Sequence, residues 1–378
     1  MRVLFFLRRI GPYHHARFQA ASSLMDLTVV ETRSDSQEYP WIFEAAGNYK
    51  VIRFPGSGNE IPRDLLHETV RRIFEETQPA VVVTTGWADR EYHAVALRAI
   101  KRKAPMVIIS DSRFEDEPRK WHKEFIKRLI LRSYSAALVA GKASRSYLLR
   151  LGFDNRSIFQ PWDVVDNDHF KPGPGAGAAF HDRDFLCISR FIPKKNLERL
   201  VDAFAQYARQ GGRRRLNLLG DGELSGRLKS LVKEAGLADR VTFAGFVQYD
   251  DLPRYLHRAL CLILPSTTDQ WGLVVNEAMA SGLPVLVSTS CGCAEDLVEN
   301  EVNGYRFHPE SVGEITNVLN RMENVSEDMW LRMSSASMAK ISAWNPQAFA
   351  GGLLNSAVYA LDHSYSRTFA FIHRLLAR

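Results

Sequence analysis

The sequence predicts an α/β protein made of two doubly wound parallel sheets, each covered by helices on both faces. Three observations carry this. Short apolar or β-branched runs alternate with helical patterns from the first residues on. The alternation breaks once, at 171–182 (KPGPGAGAAFHD), whose Pro, Gly and Ala content marks a linker. It then restarts with the same architecture, and at 378 residues two domains are expected.

In the first half, residues 3–7 form the first strand candidate, followed by a Gly-Pro turn and a helix near 16–21. Further strands are read at 27–31 and 49–54, and 62–76 is helical with an apolar stripe. Residues 80–84 (AVVVT) read as a buried parallel strand. A helix at 91–103, a strand at 106–110, a long helix at 119–134, a strand at 136–140 and a helix at 143–151 complete this half. After the linker come strand 185–189, helix 196–209, strand 216–219, helix 223–235 and strand 241–244. A helix near 251–258 precedes strand 261–264. The stretch 264–288 (LPSTTDQWGLVVNEAMASGLPVLVS) then reads as a strand end, a polar turn, a helix and a strand. A helix near 294–299, a last edge strand at 304–307 and helices at 311–323, 327–342 and 347–361 follow. The expected domains are 1–170, the linker 171–182 and 183–345, with 346–378 completing the first. Two such units imply a ligand cleft between them.

Composition narrows the classes of function. A hydrophobic content of 46% and a charged content of 24% are those of an ordinary globular protein. The formal net charge of +6 is too small to require nucleic acid as a partner. It is unevenly placed: residues 98–150 hold 14 Lys/Arg against 5 Asp/Glu, more excess than the whole chain shows. That segment is either a solvated basic face or a contact for an anionic membrane or acceptor. The apolar core of MRVLFFLRRIG, five residues between Arg2 and Arg8, is too short for a signal peptide, and no apolar run reaches the ~20 residues that span a bilayer. The four cysteines lack metal-ligand spacing and fit a reducing setting. The expected location is cytoplasmic, at most at the inner face of the plasma membrane.

The chemistry gathers in the second half. Asp269 precedes a helix opened by Trp271 and Gly272, and Glu277 lies inside it. Were the eight-residue spacing mostly helical, the two carboxylates would stand about 12 Å apart. Helix-opening amides between them favour an anion. An acid at each end and an anion site between suit a ligand of sugar, phosphate and sugar, hence a nucleotide sugar. Ser189-Arg190-Phe191-Ile192-Pro193-Lys194-Lys195-Asn196 leaves the first strand of this half, where open α/β sheets bind ligands. Arg190 and Lys195 there suit a diphosphate and the charge on a departing phosphate. The turn Gly220-Asp221-Gly222 either opens a nicotinamide-cofactor loop or is a tight βα turn bordering a ligand.

In the first half, Gly11-Pro12-Tyr13-His14-His15 follows the first strand. Gly11 would allow close backbone approach. His14 and His15 would contact a phosphate or a sugar hydroxyl, or serve structure only. Trp87 and Asp111 leave strands on the same side and suit a sugar ring and an acceptor hydroxyl. The basic helix 118–132 places Trp121, Phe125, Leu129 and Ile126 on one face, which either packs on the sheet or lies at an anionic membrane.

Arg190 and Lys195, Gly220-Asp-Gly222, Gly245-Phe246-Val247 and Asp269-x-Trp-Gly-x4-Glu277-Ala-x-Ala-x-Gly-x-Pro-Val together resemble the donor-binding half of group-1 glycosyltransferases (glycosyltransferase family 4). The resemblance reaches Pro161-Trp-Asp-Val-Val-Asp166-x3-Phe170 and Asn303-Gly304, covering most of 130–345. It implies the GT-B fold: two Rossmann-like domains, with a C-terminal helix crossing back to the first. It implies a metal-independent, retaining transfer from a nucleotide-sugar co-substrate, here a UDP-sugar, to a saccharide or lipid-linked acceptor. Arg190 and Lys195 would bind the diphosphate, Asp269 the transferred sugar and Glu277 the ribose. Amides at Gly272, Leu273 and Val274 would face sugar and phosphate, Trp271 beside them would contact the ligand, and Phe246 and Val247 would border the base. Asp269 replaces the family's usual Glu, Trp271 its Phe and Ser189 its Gly, and the loop at Gly11 is not Gly-rich. An epimerase or phosphorylase of the same fold, or a silent sugar-nucleotide-binding protein, is the alternative.

Overall fold

The structure is a computed structural model that describes residues 1–33, 47–55, 61–173, 175, 177–363 and 370–377. Pro174 and Ala176 of the expected linker and residues 364–369 of the C-terminal segment lie outside these. The chain divides into two compact units, Met1–Val164 with Pro346–Arg378, and Val165–Asn345.

In unit 1 the elements run β1 (Arg2–Leu7), α1 (Pro12–Ser22), β2 (Asp26–Glu31), β3 (Lys50–Arg53), α2 (Arg63–Thr77), β4 (Val81–Thr85), α3 (Arg90–Arg102), β5 (Met106–Ser110), α4 (Trp121–Leu131), β6 (Ala136–Val139), α5 (Lys142–Arg150) and β7 (Ile158–Phe159). The strands form one parallel sheet in the order β3-β2-β1-β4-β5-β6-β7. Its central strands are apolar on both faces because helices cover both. The order reverses between β1 and β4, so the loops carrying Gly11 and Trp87 flank a topological switch point.

Unit 2 follows with α6 (Asn167–Phe170), β8 (Asp184–Ile188), α7 (Leu197–Arg209), β9 (Leu216–Leu219), α8 (Ser225–Glu234), β10 (Val241–Gly245), α9 (Leu252–Leu256) and β11 (Ala259–Leu264). It ends with α10 (Leu273–Ala280), β12 (Val285–Ser288), α11 (Ala294–Leu297), β13 (Gly304–Phe307), α12 (Val312–Glu323) and α13 (Glu327–Ile341). Six parallel strands lie in the order β10-β9-β8-β11-β12-β13. Every residue of β11 is buried. Here the order reverses between β8 and β11.

The chain then returns to unit 1 as α14 (Pro346–Asp362) and α15 (Ala370–Leu376). Phe349 of α14 packs edge-on to Trp162, ring centroids 5.6 Å apart. Under that ring lies Arg17 of α1, fully buried, with its guanidinium 4.4 Å from the Trp162 centroid. Arg17 donates to the Val164 carbonyl at 2.9–3.0 Å and pairs with Asp163 at 3.3 Å, which compensates its burial. The helix expected to come back to the first domain therefore has its partners there.

Candidate active site

The two loops at the unit 2 switch point carry the acidic and basic residues singled out above. After β8, Ser189 N–H still bonds Leu219 at the end of β9 (3.0 Å), and the chain then turns out with Arg190. Buried Phe191 anchors the turn: its N–H donates to the Asp221 carbonyl (2.8 Å), and its carbonyl accepts from Leu224 N–H (2.9 Å). This pins the Arg190 loop to the 220–224 turn. Gly220 makes the contact possible. Its φ is +130°, and a Cβ there would sit 1.8 Å from the Ser189 carbonyl oxygen. Gly222 follows in a turn closed on itself, its N–H donating to Asp221 Oδ1 at 2.8 Å while Ser225 Oγ donates to the same carboxylate oxygen. Those two hydrogen bonds, the hydroxyl's first, lower the pKa of Asp221. The turn is a stitched βα connection that supports its neighbour.

Pro193–Lys195 forms one turn of 3-10 helix, ended by Asn196 in the left-handed region at φ 60°. The buried Asn196 amide donates to the carbonyls of Pro265 (2.9 Å) and Pro309 (2.8 Å), and Thr267 N–H donates to the Lys194 carbonyl at 2.9 Å. The post-β8 and post-β11 loops are thus sewn together. The result is a contact between two residues 74 apart: Lys195 Nζ donates to Asp269 Oδ2 at 2.5 Å, each side chain 14% exposed. Ser266 Oγ stands 3.5 Å from the same carboxylate oxygen. Asp269 is held from behind as well, by Asp269 N–H to Ser290 (3.3 Å) and Gly292 N–H to Asp269 (2.9 Å).

Gly272, at φ +103°, ends this turn and caps α10. A Cβ there would meet Leu264 Cδ2 at 2.8 Å. A left-handed residue cannot continue a right-handed helix, so α10 begins only at Leu273. The mostly helical span that would set the two carboxylates about 12 Å apart is therefore not present. Residues 273–277 alone are helical and supply about 6 Å of rise, and the rest of the path is a folded turn. Leu273 and Val274 form the first turn of α10, whose amides have no partner within the helix. Glu277 sits one turn further in and is 2% exposed.

Trp271 behaves differently from its place among the ligand-contacting residues. Its ring is 3% exposed and stacks on Trp344, centroids 6.3 Å apart, while its Nε1–H donates to Asn276 Oδ1 at 2.9 Å. It packs α10 into unit 2. Phe246 is exposed and Val247 half-buried just after β10, beside the Gly220 turn, whose N–H donates to the Gly245 carbonyl at 2.8 Å.

In unit 1, Gly11 N–H donates to His14 Nδ1 at 3.2 Å across the start of α1. Gly11 has ordinary extended dihedrals, and a Cβ there meets nothing nearer than 3.8 Å, so sterics do not demand a glycine. His14 lies among Phe18 and Trp162. Burial, aided by the charge of Arg17, pushes its pKa down to about 3. Its Nδ1 accepts from a backbone amide, so Nε2 carries the proton: His14 is a neutral donor and offers a phosphate no charge. His15 Nδ1 lies 2.9 Å from the Tyr49 hydroxyl, and burial lowers its pKa too. Trp87 packs edge-on to Tyr147, with centroids 6.5 Å apart, and Asp111 is half-buried.

All four cysteines are buried free thiols, and burial pushes Cys187 up to about 12. Among the described residues no group of three or more His, Cys, Asp or Glu stands ready for a metal ion. Asn196, Ser266 and the 290–292 loop are positioning elements beyond the residues to which the motifs point. Only Asn196 carried a signal, a turn-forming amide between a basic loop and an apolar helix.

The fold is that of GT-B glycosyltransferases, two Rossmann-like parallel-sheet units. The Anabaena protein Alr3699/HepE, solved in complex with UDP, superposes over 94% of this chain and 98% of its own with a TM-score of 0.74 at 19% identity. Sucrose-phosphate synthase from Thermosynechococcus elongatus does so over 93% and 96% with a TM-score of 0.73 at 19% identity. Residues 177–336, most of the second unit, match the family described as Glycosyl transferases group 1. A GDP-mannose-dependent alpha-(1-6)-phosphatidylinositol monomannoside mannosyltransferase of Mycobacterium tuberculosis is 32% identical over 151 residues, which are 36% of this chain and 39% of that protein's length.

Proposed function

We propose that the protein is a retaining, metal-independent glycosyltransferase. It moves a sugar from a nucleotide sugar held by unit 2, with a UDP-sugar as the first choice, to a saccharide or lipid-linked acceptor on unit 1. The work belongs to cell-envelope polysaccharide, lipopolysaccharide or glycolipid synthesis at the inner face of the plasma membrane. The observation that carries this reading is the Lys195–Asp269 pair at the unit 2 switch point, beside the opening of α10.

In this reading the donor diphosphate lies against Arg190, Lys195 and the amides of Gly272, Leu273 and Val274. Asp269 holds hydroxyls of the sugar, Glu277 the ribose hydroxyls, and Phe246 and Val247 border the base. The bond from the sugar's anomeric carbon to the phosphate oxygen breaks, and the acceptor oxygen bonds that carbon on the same face. The acceptor proton passes to the departing phosphate oxygen, and the nucleoside diphosphate leaves. Arg190 and Lys195 stabilise the charge that builds on it, a contribution of about 3–4 kcal/mol for a comparable donor. Asp269 keeps the Lys195 ammonium in place before the donor arrives.

The mannosyltransferase relative is GDP-mannose-dependent, and the HepE structure contains UDP, so both bases belong in the test. UDP- and GDP-sugars are incubated with and without acceptor lipids, and products are analysed with the donor alone to detect epimerisation or phosphorolysis. Lys195→Ala and Glu277→Ala are expected to abolish transfer while the fold survives. Near-normal turnover in both would sink the assignment.

A further inference from the structure

Helix α4 is built inside out. Its polar pair faces the protein: Lys127 Nζ donates to Glu124 (3.0 Å) and to the Tyr147 hydroxyl (2.9 Å), and that hydroxyl reaches the Glu124 carboxylate at 2.9 Å. Arg119, just before the helix, closes the same network, its guanidinium 4.5 Å from the Tyr147 ring centroid and 3.8 Å from Glu124. Both Glu124 and Lys127 are largely shielded. The aromatic residues face water instead: Trp121 is 81% exposed and Phe125, one turn on, 55%. Ile126 is exposed too, and only Ile130 and Leu131 at the far end are buried. A surface helix that lies on a sheet shows the opposite pattern. Of the apolar face, Leu129 packs against the core, whereas Trp121, Phe125 and Ile126 do not.

What covers such a face is indicated by the charge around it. Lys120, Lys123, Arg128 and Arg132 are exposed on the helix and its ends. Its acidic residue, Glu124, is turned inward. Exposed Glu115 and Glu117 lie before the helix, Glu117 paired with Arg119 at 3.1 Å; the exposed cations beside an exposed indole and phenyl ring match the boundary of an anionic bilayer, where Trp sits at headgroup level and Lys and Arg meet lipid phosphates. A protein partner would need a complementary acidic face, and a second copy would bring the same cations against themselves.

We propose that α4 is an interfacial membrane anchor that inserts Trp121 and Phe125 into an anionic lipid surface, with Lys120, Lys123 and the arginines on the headgroups. The anchor deepens the proposed transfer by placing unit 1 at the surface where a lipid-linked acceptor resides, and rests on that reading only for its use.

The test is co-sedimentation of the full chain with phosphatidylcholine vesicles, with and without phosphatidylglycerol. The expected result is binding to the phosphatidylglycerol vesicles that weakens with salt. Trp121→Ser/Phe125→Ser should weaken it about tenfold or more, and Lys120→Glu/Lys123→Glu should do likewise. Both variants change exposed side chains, so their thermal midpoints and their UDP-induced stabilisation should match the unaltered chain. Equal binding to both vesicle types, or undiminished binding by the Trp121/Phe125 variant, overturns the proposal. So does concentration-dependent self-association without lipid that this variant abolishes. A protein that binds vesicles as described but responds to no nucleotide sugar contradicts the donor reading alone.

Discussion

Gly220→Ala tests the architecture of the proposed donor site without touching a charge. The new Cβ would lie 1.8 Å from the Ser189 carbonyl oxygen, whereas real Cβ contacts stay beyond 3.0 Å, so one backbone must move by more than an ångström. Neither can relax as a flexible side chain would, because both are bonded into adjacent strand ends. The substitution also places an L-residue at φ +130°, a strain of about 1–3 kcal/mol. Together the two effects should cost about 3 kcal/mol, or roughly 6–12 °C in the melting midpoint of a unit of this size. The displaced loop carries Arg190, and a shift of about 1 Å in a catalytic group can reduce rate about 100-fold. The control is Gly226→Ala. Gly226 lies in the first turn of α8 with open space around its Cβ, and alanine there should stabilise by about 0.5–1 kcal/mol with no effect on activity. Differential scanning calorimetry and donor turnover on both variants decide it. If Gly220→Ala melts and turns over like Gly226→Ala, the packing of the two loops is not what holds the site.

Three further outcomes are expected. Asn196→Asp should melt well below the unaltered chain, by about 2–4 kcal/mol, because a carboxylate cannot donate to the Pro265 and Pro309 carbonyls that the amide now serves; an unchanged urea midpoint would refute the sewing role. Lys195→Met should destabilise more when Asp269 is present than in an Asp269→Asn background, a coupling of about 1–3 kcal/mol in a double-mutant cycle read by urea denaturation, and additive effects would contradict the pairing. Buried His93 on α3 and His373 on α15 face each other with Nδ1 atoms 3.0 Å apart, and burial lowers both pKa values below 6.5. The unfolded chain therefore takes up protons before the folded unit does. Stability is full above about pH 6.5 and falls on acidification by up to about 3 kcal/mol per pH unit for the pair; in His373→Leu the acid slope measured by urea titrations should drop by one proton, and an unaltered slope would refute the pairing.

Much of the fold was legible because its signals are local and periodic. Runs such as Val81–Thr85 and Ala259–Leu264 are apolar on both faces, which only a sheet covered on both sides explains. The expected linker at 171–182 precedes β8, but the boundary between the units falls earlier, between Val164 and Val165. Arg190, Lys195 and Asp269 were legible as candidates because they leave strands where such sheets bind ligands, and folding brings Lys195 and Asp269 together. What was not legible depends on conformation or on distant packing. Nothing in the letters of Gly272 showed that its left-handed dihedrals delay α10 to Leu273, and the partner that buries Trp271 is Trp344, 73 positions away. The periodicity of α4 was read correctly as a stripe. Which way the stripe faces is set by the Glu124–Lys127–Tyr147 network, and Tyr147 lies on another helix.

The proposed grip of unit 2 on a nucleotide sugar runs through Arg190, Lys195, Asp269 and Glu277. It is tested most directly by calorimetric titration of UDP- and GDP-sugars into the protein and into its Lys195→Ala and Glu277→Ala variants. Saturable binding of a nucleotide sugar is expected, weakened about 100-fold by either substitution while each variant stays folded at the titration temperature. Undiminished binding in both variants, or no binding of any nucleotide sugar by the unaltered chain, would contradict it.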